Sequence, residues 1–363
     1  MTDQIPETMQ AVVYRGVDDL RVETVPVPRI HPDELLVKVA VCGICPTDIK
    51  KIHYGTVEPP RIFGHETSGV IVRVGSQVRK WKIRDRVALH HHVPCLSCHA
   101  CRHHAFAQCT QYKRTGITAG FEPAGGGFSE YVRVMAFVLP GVVKIPSSKS
   151  FVEGAMLEPV NTVLKAVKRL TLLKGDCVLV VGQGPIGLLF TQLLTTMRMK
   201  VIAIDLLDHR LKRARDFGAR LAASANDTKL SSAIECITRR RGLDAAIVTA
   251  PSDAAVRQAL ELVRGGGQVL IFAHTRRGSE AHLDLSAVCV DEKDLLGSYS
   301  ADCTLQNEAA HLVFRGKLDV SSSVTHRFPL VKTADAIRLA MRPTSETLKI
   351  VIDQECSDAS ETQ

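Results

Sequence analysis

The chain has 363 residues, 45% of them hydrophobic, which is enough for two domains that each bury a core. No apolar run reaches 18 residues, which excludes a membrane-spanning helix, and the opening Met1-Thr-Asp-Gln-Ile-Pro-Glu7 predicts no secretory signal. The formal charge of +8 is spread out, so it suits attraction of an anionic dinucleotide and no nucleic-acid partner is expected.

In chain order, residues 11–14, 20–25 and 34–41 read as strands separated by Gly, Pro and Asp turns. Short strands continue at 69–75, 86–89 and 128–132, with a cysteine-rich excursion at 95–109. From residue 151 the texture changes. The segment 151–170 is helical in pattern, and strands at 177–181, 200–205, 244–248 and 268–273 alternate with amphipathic helices at 185–197, 208–217 and 253–263. Such alternation predicts βαβ units and a parallel sheet covered on both faces. Arg239-Arg240-Arg241, ahead of Gly242, reads as a solvated helix end. Beyond 295–299 the pattern is mixed again, with a helix at 333–341, a strand at 347–352 and a polar tail at 354–363. The layout predicts an α/β domain inserted into a β-rich one, with segments 1–157, 158–297 and 298–363.

Four of the eleven cysteines, Cys95, Cys98, Cys101 and Cys109, are closely spaced. Four thiolates at this spacing suit one tetrahedral Zn²⁺ in a closed structural site. An iron–sulfur cluster of the bacterial ferredoxin kind is the rival, but there the fourth cysteine follows after three residues and precedes Pro, whereas Cys109 precedes Thr110. The other seven are scattered, which fits a reducing, cytoplasmic setting better than a disulfide framework. His90-His91-His92, His99, His103 and His104 crowd the same stretch; with four thiolates at hand they read as lobe-surface or supporting groups.

Val178-Leu-Val-Val-Gly182-Gln-Gly184-Pro-Ile-Gly187 places G-x-G-x-x-G between a strand and a helix. Gly182 permits the tight turn, Gly184 lets a pyrophosphate approach the backbone, and Gly187 lets the helix pack against the sheet. Asp205, 18 residues after Gly187, would accept hydrogen bonds from ribose hydroxyls and repel a 2′-phosphate, so NAD is favoured over NADP. Arg210 is a neighbour that either contacts the adenosine or softens that discrimination. Asp208 is the expected N-cap of the next helix.

Cys45 lies in Gly43-Ile-Cys-Pro-Thr-Asp48, His65-Glu66 follows Gly64, and Glu158 precedes Pro159. Each alone has an ordinary explanation: a buried thiol, a core histidine, a carboxylate near a helix N-terminus. Together, sulfur, imidazole and carboxylate make an open zinc site that leaves one position for substrate oxygen.

With these motifs in this order, the chain resembles the zinc-dependent medium-chain dehydrogenases (the alcohol dehydrogenase family), and in particular their polyol and threonine dehydrogenase branch. The resemblance spans nearly the whole chain and implies a GroES-like β-rich catalytic domain split by a Rossmann, doubly wound parallel-sheet domain. It implies that Cys45, His65 and Glu66 bind the catalytic zinc, with Glu158 binding directly or through water. Thr47 would hold the substrate alcohol and start proton release, and Thr162 would pack against nicotinamide. Pro185-Ile186, Phe272-Ala273-His274 and Ser298-Tyr299 match segments that hold the cofactor. Pro46 replaces the usual Gly, and Lys50 stands where many relatives carry a relay histidine, so His53 or solvent becomes an alternative relay. The implied activity is NAD-dependent oxidation of a secondary alcohol, polyol or amino alcohol, with zinc as Lewis acid, in a homodimer or homotetramer. Two other readings stay open: a zinc-free NADPH enone or quinone reductase, and a non-catalytic dinucleotide-sensing zinc protein. Specificity is expected from loops at 50–61 and 114–127.

Overall fold

The computed structural model describes residues 5–90, 93–114, 125–273, 278 and 280–356. Eight strands come first: β1 Thr8–Gly16, β2 Asp19–Pro26, β3 Leu35–Gly43, β4 Arg61–Ile62, β5 Glu66–Val74, β6 Arg86–Leu89, β7 Tyr131–Val134 and β8 Val143–Lys144. Six more, β9 Cys177–Val181, β10 Lys200–Asp205, β11 Leu221–Ser224, β12 Leu243–Val248, β13 Val263–Ile271 and β14 Asp294–Gly297, form the middle of the chain. Strands β15 Val324–Phe328 and β16 Lys349–Asp353 close it.

The chain divides into two compact units, one of residues 1–161 with 301–363 and one of residues 162–300. In the first, β2-β1-β4 form a small sheet, and β15-β16-β3-β5-β6-β8 form the main one, with β7 also paired to β3. Tyr14, Leu35, Leu36, Phe63, Ile71, Val87 and Phe128 fill its core, each almost wholly buried. The alternation expected of a sheet with one solvated face is visible in β5, where buried Ile71 stands between half-buried Val70 and Val72.

The second unit holds a six-stranded parallel sheet in the order β11-β10-β9-β12-β13-β14. Counted from its own first strand this is 3-2-1-4-5-6, the doubly wound order in which dinucleotides bind where the strand order reverses, here between β9 and β12. All five residues of β9 and all six of β12 are buried, as central strands covered on both faces require.

Three local expectations are corrected. The segment 50–61 is not all loop, because helix α1, Pro46–Tyr54, takes its first half: Pro46 sits in the first turn, and Gly55, left-handed at φ +60°, closes the end. The helical stretch 151–170 is two helices, α2 Phe151–Ala155 and α3 Leu157–Val167, the first opened by a reciprocal capping box between Ser150 and Glu153. Asp208 is not an N-cap; it is the first residue of its helix, and Leu207 occupies the cap position without a side-chain bond. The Leu207 N–H instead donates to Asp205 Oδ1 at 2.9 Å, so Asp205 supplies the acceptor. The arginine run does follow a helix end, with Arg239 left-handed immediately after Thr238.

Candidate functional site

The cysteine lobe has its own small core of Cys101, Phe106, Ala107, Cys109 and Tyr112. Its four sulfurs converge within 4.8 Å of one another. The separations are 3.5 Å for Cys98–Cys101, 3.7 Å for Cys109–Cys95 and 3.9 Å for Cys95–Cys101. A tetrahedron with Zn–S bonds of about 2.3 Å has S···S edges of about 3.8 Å, so one zinc ion fits without rearrangement. An iron–sulfur cage would spread its cysteines more widely. The Ser97 and Cys98 backbone N–H groups lower the Cys95 thiol to about 6, which favours the thiolate a metal needs.

The second ligand set lies where three strands of the main sheet end together. In the antiparallel pairing of β3 with β5, Gly43 stands opposite Glu66. Cys45, two residues past β3, therefore meets His65 and Glu66 at the start of β5, and their ligand atoms lie within 4.8 Å of one another. Glu158 lies outside that close trio. Gly43 is glycine for a steric reason: a Cβ there would run into the Glu66 carboxylate. Gly64, at φ +96°, makes the turn that delivers His65, and a Cβ would come within 2.7 Å of Cys42 Sγ.

Around this trio the groups are ordered. Asp48, fully buried, accepts from His65 Nδ1 at 3.1 Å, which leaves Nε2 for a metal. Thr47 Oγ1 donates to Cys45 Sγ at 3.1 Å and lies 3.5 Å from His65 Nε2, so its hydroxyl stands at the ligand atoms. Register again matters for Lys349. In the pairing of β16 with β3, Val351 stands opposite Gly43, which brings Lys349 to the same end of the sheet. Its Nζ donates to Ile44 O at 2.9 Å and pairs with Glu66.

The electrostatics ask for a cation. Burial alone would depress the His65 pKa, yet the Asp48 carboxylate and Cys45 thiol raise it well above its ordinary value. Glu158 is pushed up to about 7, first by burial and then by Glu66 and Asp48, against the pull of His65 and Lys349. Lys349 is held above its ordinary value by Glu66 and Cys45 in spite of burial. Three buried carboxylates and a thiol thus crowd around Lys349 and a charged His65, and Asp48 Oδ2 has no hydrogen-bond partner. A divalent ion on Cys45, His65 and Glu66 would relieve that excess of negative charge, so the donor set fits zinc.

In the second unit, Gly182 is left-handed at φ +88° and a Cβ on Gly187 would collide with the Gly182 carbonyl, so both are fixed by backbone packing. Gly184 is different: a Cβ there meets nothing closer than Arg210 Nη1 at 3.8 Å. Its surroundings leave room for a ligand, as the cradle of a pyrophosphate requires. Pro185 and Ile186 open the helix Pro185–Thr196 at that point. Asp205 Oδ2 accepts the Gln183 N–H at 2.6 Å, tying the turn to β10, and Arg210 Nη1 lies 3.7 Å away. Phe272 and Ala273 both donate backbone N–H groups to Val248 O, and Phe272 packs edge-on against Phe190 at 5.1 Å. Ser298 is buried and bonded to Ile271 O, Tyr299 is half exposed, and Thr162 is buried in α3. His274 lies outside the described residues.

Two family models match the chain: the alcohol dehydrogenase GroES-like domain over residues 31–147 and the zinc-binding dehydrogenase over residues 185–314. Sorbitol dehydrogenase of Bacillus subtilis is 32% identical over 361 residues, covering 97% of this chain and 99% of that protein. D-xylulose reductase A of Aspergillus niger is 31% identical over 339 residues, covering 90% of this chain and 91% of its own. A solved zinc-binding dehydrogenase of Sinorhizobium meliloti, bound to NADP, superposes with a TM-score of 0.87 at 28% identity over 96% of this chain and all of that one. The chain belongs to the zinc-binding alcohol dehydrogenase family.

As a member of that family the protein is an oxidoreductase acting on CH–OH groups of small-molecule alcohols, with zinc and a nicotinamide dinucleotide as cofactors. The GroES-like and Rossmann expectation for the fold holds. Among the described residues no helix is long and apolar enough to cross a membrane.

Three buried residues of this dehydrogenase were not singled out from sequence. Asp48 was readable only as part of its motif. Lys349 left a signal, a lysine opening the otherwise apolar Lys-Ile-Val-Ile, which normally marks a surface strand end. Asn161, also fully buried, left none. Its Nδ2 donates to Asp302 O at 2.9 Å and to Gln306 Oε1 at 2.8 Å, while its Oδ1 accepts the Asp302 N–H at 2.8 Å. Gln306 Oε1 in turn lies 3.3 Å from His90 Nδ1.

Proposed function

We propose that the protein oxidises a polyol or vicinal secondary alcohol with NAD, using a catalytic zinc on Cys45, His65 and Glu66. The observation that carries the reading is the convergence of those three ligand atoms at one sheet end, with Asp48 behind the histidine. The polyol class is supported by the sorbitol and xylulose relatives. When bound, zinc supplies Lewis acidity toward the alcohol oxygen. Thr47 Oγ1 would hold the substrate hydroxyl and start its proton release, passing its own proton on toward solvent as it takes the substrate's. Lys50, half-buried and lowered below its ordinary pKa by burial, is the next group on α1. His53 is the weaker candidate, because its Nδ1 is engaged by exposed Asp18 at 3.1 Å. Glu158 would be the further carboxylate able to hold the metal directly or through water.

Thr162, Gly182, Gly184, Pro185, Ile186, Gly187, Phe272, Ala273, His274, Ser298 and Tyr299 are the proposed cofactor contacts, and Asp205 with Arg210 the ribose end. The lobe cysteines Cys95, Cys98, Cys101 and Cys109 hold the structural zinc. Asp205 favours NAD, although a structural neighbour binds NADP, because a carboxylate beside a 2′-phosphate adds repulsion. A cytoplasmic homodimer or homotetramer completes the proposal, resting on family resemblance. The test is a panel of polyols, vicinal diols and simple secondary alcohols, run with NAD⁺ and NADP⁺ before and after zinc removal. Zinc-dependent turnover of polyols with NAD⁺ is expected. Turnover that survives complete zinc loss, or that is confined to NADPH-linked enone reduction, would contradict the reading.

A further inference from the structure

His99 and His103, both exposed, are used by nothing described above. They lie one helical turn apart on the cysteine lobe, with ring centroids 4.5 Å apart and planes tilted by 54°. Main-chain bonds hold the turn: Arg102 N–H to Cys98 O at 3.0 Å and His103 N–H to His99 O at 3.2 Å. Cys98 and Cys101, on the same turn, belong to the four-sulfur set, so metal in that set fixes the backbone on which the two rings are mounted. Arg102, between them, is engaged with Ser97 O through its Nε at 3.1 Å. His104 is not part of the pair. Its backbone turns left-handed at φ +55°, and its ring packs edge-on to Phe106 at 5.8 Å.

Two imidazoles at i and i+4 on a helical turn present their nitrogens to one ion, the spacing by which a helix offers a pair of histidines to zinc. Preorganisation lowers the cost of binding, because neither backbone segment must be ordered to bring the rings together. Neutral imidazole takes borderline divalent ions, with affinity rising toward Ni²⁺ and Cu²⁺. We propose that His99 and His103 form a second, exchangeable divalent-metal site on the lobe, outside the thiolate set, with water completing the coordination.

The test titrates untagged holoenzyme, its zinc content verified, with Ni²⁺ in a calorimeter. Wild type should bind one Ni²⁺ at this site. His99→Ala and His103→Ala should each lose about a hundredfold in affinity, the gain from joining two ligands on one scaffold. His104→Ala should bind as wild type, and all three variants should keep wild-type turnover and zinc content. Wild-type Ni²⁺ affinity in either member of the pair would overturn the site. So would an equal loss in His104→Ala, or loss of zinc from the pair variants, which would make the histidines supports of the thiolate set instead.

Discussion

Glu158 shows how one buried carboxylate reports on the site around it. Its folded pKa of about 7 stands above the 4.5 of a free glutamate, chiefly through burial. Between those two values the folded zinc-free protein holds a proton that the unfolded chain has released, so stability falls as pH rises through that window. His65 adds the same sign, since its raised pKa gives stability that is present below the unfolded value of 6.5 and lost as pH climbs through the folded one. Thermal melts of zinc-free Glu158→Gln across pH 4.5 to 7 should therefore show a shallower decline than wild type. An unchanged slope would remove Glu158 from the account. Two substitutions on α1 separate holding the alcohol from passing its proton onward. Thr47→Ala should cost roughly a hundredfold in turnover, and Lys50→Ala only severalfold, because solvent can replace a relay but not the hydroxyl that holds the alcohol. Equal losses in kcat would make Lys50 an essential proton carrier. At the ribose end, Asp205→Ser should narrow the preference of kcat/KM for NAD⁺ over NADP⁺. It should also loosen the turn, since the Gln183 N–H loses its acceptor.

At the scale of elements, α3 carries the greatest consequence. It presents Glu158 and, one turn later, Asn161, whose amide makes three hydrogen bonds with Asp302 and Gln306. Asn161→Ala leaves the N–H of half-buried Asp302 without its acceptor, while the Asp302 carbonyl keeps only the Leu305 N–H, and should cost about 1–3 kcal/mol in chemical denaturation. A cost below about 0.5 kcal/mol would mean that the network is relaxed by water. Such a network is invisible in sequence, because its members lie 141 and 145 residues apart and nothing local marks them. Strands β9, β10 and β12 were legible because central strands bury nearly every side chain and read as largely apolar runs, with exposed Lys200 only at the start of β10. By contrast β11, Leu-Ala-Ala-Ser, is half-buried throughout and has neither run nor alternation. Helix α1 was misread as loop because Pro46 and Gly55 suggest a turn when seen alone, whereas they are its first-turn proline and its left-handed cap.

For the whole molecule, motif spacing revealed which residues meet, and sheet register explains how. Gly182, Gly184 and Gly187 were readable with their separate roles because each role is a local backbone constraint. Cys45 and His65, 20 residues apart, were readable as candidate ligands only through the motif set, and the pairing of Gly43 with Glu66 is what brings them together. Lys349 enters from the far end of the chain through β16, which no local pattern could announce. The two metal sets are proposed to be independent: one would close a lobe, the other would do the chemistry. Purified protein should hold about two zinc ions per chain. The most direct measurement is elemental zinc content together with NAD⁺-dependent turnover for wild type, Cys45→Ser and Cys98→Ser. Cys45→Ser should lose one zinc and nearly all turnover while melting close to wild type, and Cys98→Ser should lose the other zinc and melt lower. A Cys45→Ser protein that keeps both zinc ions and full turnover would contradict the catalytic assignment.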